Sequence, residues 1–199
     1  MSTVIAYSQS KINYKFGLTS GVNAAQIKAS TLSNLFWQYN AGVVLEQRFS
    51  PAIAVAYQLS YAKQGSSSLV TGLGGDDKII NELTYINLPV MLRFSRESKN
   101  FFLEAGGQVG YLLDGKGYFA SSKNQATPFH HTHKIDAGLT GGIGYRLGNH
   151  LTIDARYYYG LNPILADYTA PDPATGILTF YRVSKWYNRV YSLNMSYYF

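Results

Sequence analysis

The sequence predicts an all-β fold: an eight-stranded antiparallel up-and-down transmembrane β-barrel with short turns at one end and long loops at the other. Three observations predict it. Eight segments of roughly spanning length alternate apolar and polar residues with period two. Their connections alternate between short and long. The aromatic residues of the apolar faces gather at the two ends of the strands.

The composition suits a chain whose surface is not wholly in water. Soluble domains carry about 25% charged residues. Here only 14% of 199 residues are charged, while 15% are aromatic, with 18 tyrosines. No apolar run approaches the roughly 18 residues of a transmembrane helix, but a spanning strand needs only about 9–11 alternating residues. The net charge of +6 is scattered, with no basic run. That gives nucleic acid little to bind and better suits an anionic membrane surface. The absence of cysteine excludes disulfides and thiolate metal sites.

The segments follow in order. "NYKFGLTSGV" puts Tyr14, Phe16 and Leu18 on one face. "WQYNAGVVLEQRF" sorts Trp37, Tyr39, Val43, Leu45 and Phe49 against Gln38, Asn40, Glu46 and Arg48. "AIAVAYQLSYA" sets Ile53, Val55, Tyr57, Leu59 and Tyr61 against Ala54, Ala56, Gln58 and Ser60. "ELTYINLPVMLRF" sets Ile86, Leu88, Val90, Leu92 and Phe94 against Tyr85, Asn87, Pro89, Met91 and Arg93. "FFLEAGGQVGYLL" presents Phe101, Leu103, Val109, Tyr111 and Leu113 opposite Glu104, Gln108 and glycines. "KIDAGLTGGIGYRL" presents Ile135, Leu139, Ile143, Tyr145 and Leu147 opposite Asp136, Thr140, Gly142 and Arg146. "LTIDARYYYGL" presents Leu151, Ile153, Tyr157 and Tyr159 opposite Thr152, Asp154, Arg156 and Tyr158. "RVYSLNMSYYF" closes the set, with Tyr191, Leu193, Met195, Tyr197 and Phe199 on its apolar face.

The connections run 24–36, 50–51, 65–77, 95–100, 114–133, 148–149 and 162–186, long and short in turn. Outer-membrane barrels do this, with short periplasmic turns and long extracellular loops. The apolar face must then lie against lipid. Phe49, Phe94, Phe101, Tyr145, Tyr197 and Phe199 form a girdle at the short-turn rim, with the terminal aromatic as an insertion signal. Trp37, Tyr39, Tyr61, Tyr111 and Tyr159 form one at the long-loop rim. Amphipathic rings belong at both headgroup levels. A closed barrel also requires the last strand to pair with the first, leaving no edge in the bilayer.

The opposite face is then the lumen. It carries Glu46, Arg48, Arg93, Glu104, Arg146, Asp154 and Arg156. Eight strands leave an interior just wide enough for side chains to fill, and buried charges need partners. These residues are expected to form a paired network that plugs the lumen; a small-solute or proton path is the rival reading. Inward glycines 106, 110, 138, 142 and 144 make room for the long side chains. Pro89 cannot donate to a ladder, so a bulge or a lost ladder bond is expected there.

Other motifs weigh less. His130, His131 and His133 of "PFHHTHK" are weak metal candidates, since no carboxylate lies within the motif. "GLGGDD" lacks both calcium-ligand spacing and a following helix. Ser121, Ser122 and His133 near the outer rim have no acid placed to orient the histidine, so neither an enzyme nor a cofactor is expected. A soluble lipocalin-type carrier would invert the faces and has no use for girdles. At the amino end, Ala6-Tyr7-Ser8 is a small-x-small pattern preceded by a short apolar stretch. Residues 1–10 read as the remnant of a signal peptide or as a disordered terminus, and 11–199 as one barrel domain.

"YKFGLTSGVN", "YINLPVMLRF", "FFLEAGGQVGYLLDGKG", "GLTGGIGYRL", "LTIDARYYYGLNPI" and "NRVYSLNMSYYF" together resemble the PorT-like outer-membrane β-barrel family of the Bacteroidetes, over Tyr14 to Phe199. The resemblance implies an eight-stranded outer-membrane barrel with periplasmic termini and a proline where Pro89 stands. It implies a possible accessory place in type IX protein secretion, and it brings no catalytic motif. A stand-alone structural or adhesive surface barrel is the alternative. The expected partners are outer-membrane lipid and lipopolysaccharide, the barrel-assembly machinery, and other envelope or secretion proteins.

Overall fold

The computed structural model describes residues 12–28, 34–72, 75–96, 100–171 and 178–199. The domain reading of residues 1–10 lies outside them. Eight long strands form one ring: β1 (Asn13–Lys28), β2 (Phe36–Arg48), β3 (Ile53–Gly72), β4 (Gly75–Ser95), β5 (Phe101–Phe119), β6 (Ile135–Leu147), β7 (Leu151–Gly160) and β8 (Tyr187–Tyr198). Each pairs antiparallel with its neighbour in sequence. β8 pairs with β1 from Gly17↔Tyr198 to Lys28↔Tyr187, and the Phe199 N–H donates to the Phe16 carbonyl. The ring therefore has no open edge, as hydrocarbon demands.

Which face is outside follows from exposure. In β2 the pattern alternates, with Trp37, Tyr39, Val43 and Leu45 exposed and Asn40, Val44 and Glu46 buried. In β8, Tyr191, Leu193, Met195 and Tyr197 are exposed, while Asn194, Ser196 and Tyr198 are buried. A soluble protein would put these apolar rows inside. Here the polar face is the buried one, because the outside solvent is lipid. Phe49, Phe94, Phe101, Tyr145, Tyr197 and Phe199 all stand exposed at the short-turn end, and Phe16 stacks on Phe199 with ring centroids 6.2 Å apart.

The long-loop end departs from expectation. β3, β4 and β5 run 20, 21 and 19 residues, beyond the roughly 9–11 that cross a bilayer. The segment 65–77 is not a loose loop, since β3 and β4 stay paired up to Gly72↔Gly75. Beyond the membrane an antiparallel pair can keep adding ladder bonds whatever its side chains, and polar Gln64–Ser68 do so. The extension rises roughly 30 Å at a strand's rise per residue. The segment Leu178–Tyr181, inside the fourth long loop, pairs with Tyr168–Pro171 as a separate hairpin.

At Pro89 the β3–β4 ladder lapses. Tyr57↔Val90 and Ser60↔Asn87 are paired, but the pairs between them are not, and the register is unchanged. A bond is lost there without a bulge. The register shift falls elsewhere, between Thr84 and Tyr85 against β5.

Candidate functional site in the lumen and its lid

Period two sends Glu46 (β2), Arg93 (β4), Glu104 (β5), Arg146 (β6), Asp154 and Arg156 (β7) into the lumen at similar heights, since Arg93↔Glu104 and Gly142↔Arg156 are register partners. The structure brings all seven expected charges together. Arg93 is fully buried at the centre. Its Nε donates to Glu104 Oε2 (2.9 Å), and its Nη1 donates to Glu46 Oε2 (2.7 Å) and the Tyr198 hydroxyl (2.9 Å). Its Nη2 lies 3.8 Å from Asp154 Oδ1, an ion pair without a hydrogen bond. Arg156 Nε donates to Glu104 Oε1, its Nη2 donates to Asp154 Oδ1 (3.1 Å) and its Nη1 to Gln58 Oε1 (2.6 Å). Arg48 donates to Glu46, and Arg146 donates to the Ser95 hydroxyl. Four guanidinium groups thus bracket three carboxylates. Each carboxylate meets at least one guanidinium, the condition under which buried charge is tolerated.

Phe102, absent from the expected set, turns inward and is fully buried between Arg93 and Arg146, whose guanidinium carbons lie 4.7 and 4.8 Å from its ring centroid. Gly144 makes this fit, because a Cβ there would lie 2.2 Å from the Phe102 ring. Below the network, a polar cavity of about 350 Å³, with Lys15, Arg48, Arg96 and Arg146 in its wall, opens at the short-turn end.

Above the arginine–carboxylate network the lining turns to amides and hydroxyls, with a further buried carboxylate, Asp136. Asn40 Nδ2 donates to Asn23 Oδ1 (2.8 Å) and Asn194 Oδ1 (3.0 Å), beside a void of about 40 Å³. That volume holds only a few waters. Higher still, the Tyr158 hydroxyl donates to Asp136 (2.9 Å), and Asn188 Nδ2 donates to Asp136 (2.6 Å) and the Tyr85 hydroxyl (3.1 Å). The mouth is then closed by Ile27, Leu83, Tyr85, Leu112 and Ile164, with Phe129 and Trp186 packed against them. Ile164, Phe129 and Trp186 come from the two longest loops, where no periodicity marks them.

The histidine motif has a backbone role in this lid. The His133 N–H donates to the Ile164 carbonyl (2.8 Å), the Ala166 N–H donates to the His131 carbonyl (3.0 Å), and Thr132 bridges Leu165. The two loops zip together and press Ile164 into the mouth. The His131 ring stacks on Tyr168 with centroids 4.0 Å apart. Among the described residues no three His, Cys, Asp or Glu side chains gather as metal ligands. Ser121 donates its hydroxyl to Asp77.

Outside the bilayer, Lys63 donates to Glu82 (3.2 Å), and Lys116 lies 3.7 Å away. Burial pushes the Glu82 carboxyl up, but the Lys63 hydrogen bond and the charges of Lys63 and Lys116 outweigh it and hold the pKa below 4.5. Burial likewise pushes Lys63 down, and Glu82 outweighs it, so the ammonium titrates above 10.5.

With this geometry in view, comparison places the chain among known proteins. A family model described as outer membrane protein beta-barrel domain matches residues 7–166. No curated protein matches the sequence. Among solved structures, Neisserial surface protein A is 11% identical with a TM-score of 0.59, covering 92% of this chain and 97% of its own. A major outer membrane protein of Thermus thermophilus is 14% identical with a TM-score of 0.53, covering 94% and 100%. Ail, the attachment invasion locus protein of Yersinia pestis, solved with the heparin analogue sucrose octasulfate, is 14% identical with a TM-score of 0.51, covering 94% and 99%. At these identities the likeness is one of fold.

Proposed function

Because the chain belongs to the outer membrane protein beta-barrel domain family, we propose that this integral outer-membrane protein is a non-enzymatic surface barrel that works through contacts made by its outer face, not through its lumen. One observation carries the reading: the lumen is obstructed twice, by the arginine–carboxylate network and by the apolar lid. A transport path would have to break both. What remains to act is the raised platform of β3–β5 and the two zipped loops. Purified protein in planar lipid bilayers should give no steady ion-conducting steps; regular unitary conductance would defeat the reading.

The finer assignment follows the PorT-like resemblance of "YINLPVMLRF" and "FFLEAGGQVGYLL". On it the barrel is an accessory part of type IX export, a sealed scaffold that holds other envelope proteins. Deletion of the gene, followed by quantitative proteomics of supernatant and cell surface, tests this. Loss of proteins with type IX sorting domains from outside, with their build-up in the periplasm, is the expected result. Unchanged export sinks the export role and leaves the alternative, a structural or adhesive barrel. The exposed Leu178 and Phe180 on the outer hairpin favour that alternative as a docking surface.

A further inference from the structure

The outer wall carries a feature that sealing does not explain. Strand register places three successive rows on the lipid face of β6, β7, β8 and β1. The highest holds Leu139, Tyr159, Arg189 and Gln26; the next Gly141, Tyr157, Tyr191 and Ala24; the lowest Ile143, Ala155, Leu193 and Val22. Above the highest row, Tyr187 pairs with Lys28, and Lys185 lies just beyond. Across β7, β8 and β1 the wall is therefore basic and aromatic toward the long-loop rim and apolar below it, with the apolar Leu139 of β6 at its flank.

Two surface grooves follow this order. The upper, about 560 Å³, is lined by Lys28, Lys185, Arg189 and tyrosines. The lower, about 460 Å³, is floored by Gly141 and Ala155 and walled by Val22, Ile143 and Leu193. Tyr157 and Tyr191, whose rings are 4.7 Å apart, line both, so the two grooves adjoin. Arg189 is mostly buried, with 8% of its surface exposed, and it is held in place while still lining the upper groove: its guanidinium lies 3.4 Å from the Tyr159 ring centroid, and Nη1 donates to the Gly160 and Asn188 carbonyls. Among the described residues, no carboxylate forms a salt bridge with Arg189, Lys28 or Lys185. An arginine pre-set on an aromatic face beside two lysines is suited to a phosphate oxyanion.

We propose that this wall is a specific binding site for a phosphorylated glycolipid of the outer leaflet, lipid A in chemical class. Its phosphate is held by Arg189, Lys185 and Lys28, and one acyl chain lies in the groove over Gly141 and Ala155. The height of each part supports one occupant. Tyrosines mark the headgroup level, the cations lie at or above them, and the apolar groove lies below. The site is at the long-loop rim, hence in the outer leaflet, where the phosphorylated lipid is a glycolipid. A phospholipid of the inner leaflet would meet the short-turn girdle instead.

The test is native mass spectrometry of the detergent-solubilised barrel titrated with purified diphosphoryl lipid A, and in parallel with phosphatidylglycerol. Two variants attack the two ends. Arg189→Ala with Lys185→Ala removes the phosphate contacts. Gly141→Phe fills the groove, and its Cβ is tolerated, since it would meet only the Glu104 carbonyl at 3.7 Å. Lys78→Ala, on the raised hairpin, controls for general charge. Heat-modifiable gel migration verifies that each variant is folded. Wild type and Lys78→Ala should bind lipid A with preference over phosphatidylglycerol, and both site variants should lose tenfold or more in affinity. Equal uptake of the two lipids by wild type, or unchanged lipid A binding in either folded site variant, overturns the proposal.

Discussion

In the short-turn half of the lumen, Arg93 is buried among Glu46, Glu104, Asp154 and Tyr198. In the long-loop half, the same ring of strands encloses Ile27, Leu83, Leu112 and Ile164. The lower filling is built wholly from the strands, so its positions are fixed by the ladder. The upper one borrows Ile164 and, beside it, Phe129 and Trp186 from loops, so it is only as firm as the loops' docking. Ion pairs inside a barrel hold a fixed geometry but leave no safe partial state, because removing one partner strands a charge. An apolar lid degrades gradually, contact by contact.

The sharpest way to break the comparison is Arg93→Ala. It leaves three buried carboxylates short of a cation and should cost about 3–5 kcal/mol. Urea unfolding in lipid vesicles, followed by tryptophan fluorescence, reads it; a cost under about 1 kcal/mol would mean the network is not what holds the lower half. Next comes Ile164→Ala, expected to weaken lid closure by about 2 kcal/mol or more. The effect should stay local: faster amide exchange at residues 131–133 and 164–166, with the unfolding midpoint of the barrel unmoved. A shift of the whole midpoint would show the halves to be one cooperative unit.

The third effect is smaller and lies outside the bilayer. Glu82 has a folded pKa below 4.5, so its pairing stabilises the raised hairpin above that pH and is lost as pH falls through the depressed value. Lys63 has a folded pKa above 10.5, so its share is complete below that pH and is lost as pH rises through the raised value. Amide protection in β3–β4 above the membrane should therefore be flat between these limits and fall at both ends, by less than about 1 kcal/mol. Glu82→Gln should flatten the acid limb; an unchanged acid limb removes this pair as its cause. The smallest is Phe199→Ala, which forfeits the Phe16 stack and should cost about 1 kcal/mol. Refolding yield into vesicles reads its role in the girdle, and an unaltered yield and midpoint would leave that aromatic without one.

The strands and the charge network were legible because both rest on period two. Glu46 and Arg93 alternate with Leu45 and Leu92, and that alone puts them inside. The lid was hidden, because Phe129, Ile164 and Trp186 lie in irregular segments where no period tells inward from outward. Phe102 was masked by its neighbour Phe101, since two adjacent aromatics satisfy an alternation either way. The rise of β3 and β4 was hidden for another reason: beyond the membrane nothing selects apolar residues, and Gln64–Ser68 read as loop while pairing as strand. The lipid-face rows needed the register itself, which places Arg189 of β8 beside Tyr159 of β7.

The seam between β1 and β8 carries one more implication. There the Ser196 hydroxyl donates to Thr19, 177 residues earlier in the chain. No part of the ring is complete until that join is made, so staves cannot be finished one at a time as the ribosome delivers them. Until then β8 offers an open edge and β1 waits for it. Joining positions so distant carries a large chain-entropy cost before any reward and makes assembly slow. Until the join is made, the unpaired edge and the apolar faces leave the chain open to aggregation. The edge of β8 is therefore the feature that any agent guiding closure would have to hold and then yield to β1.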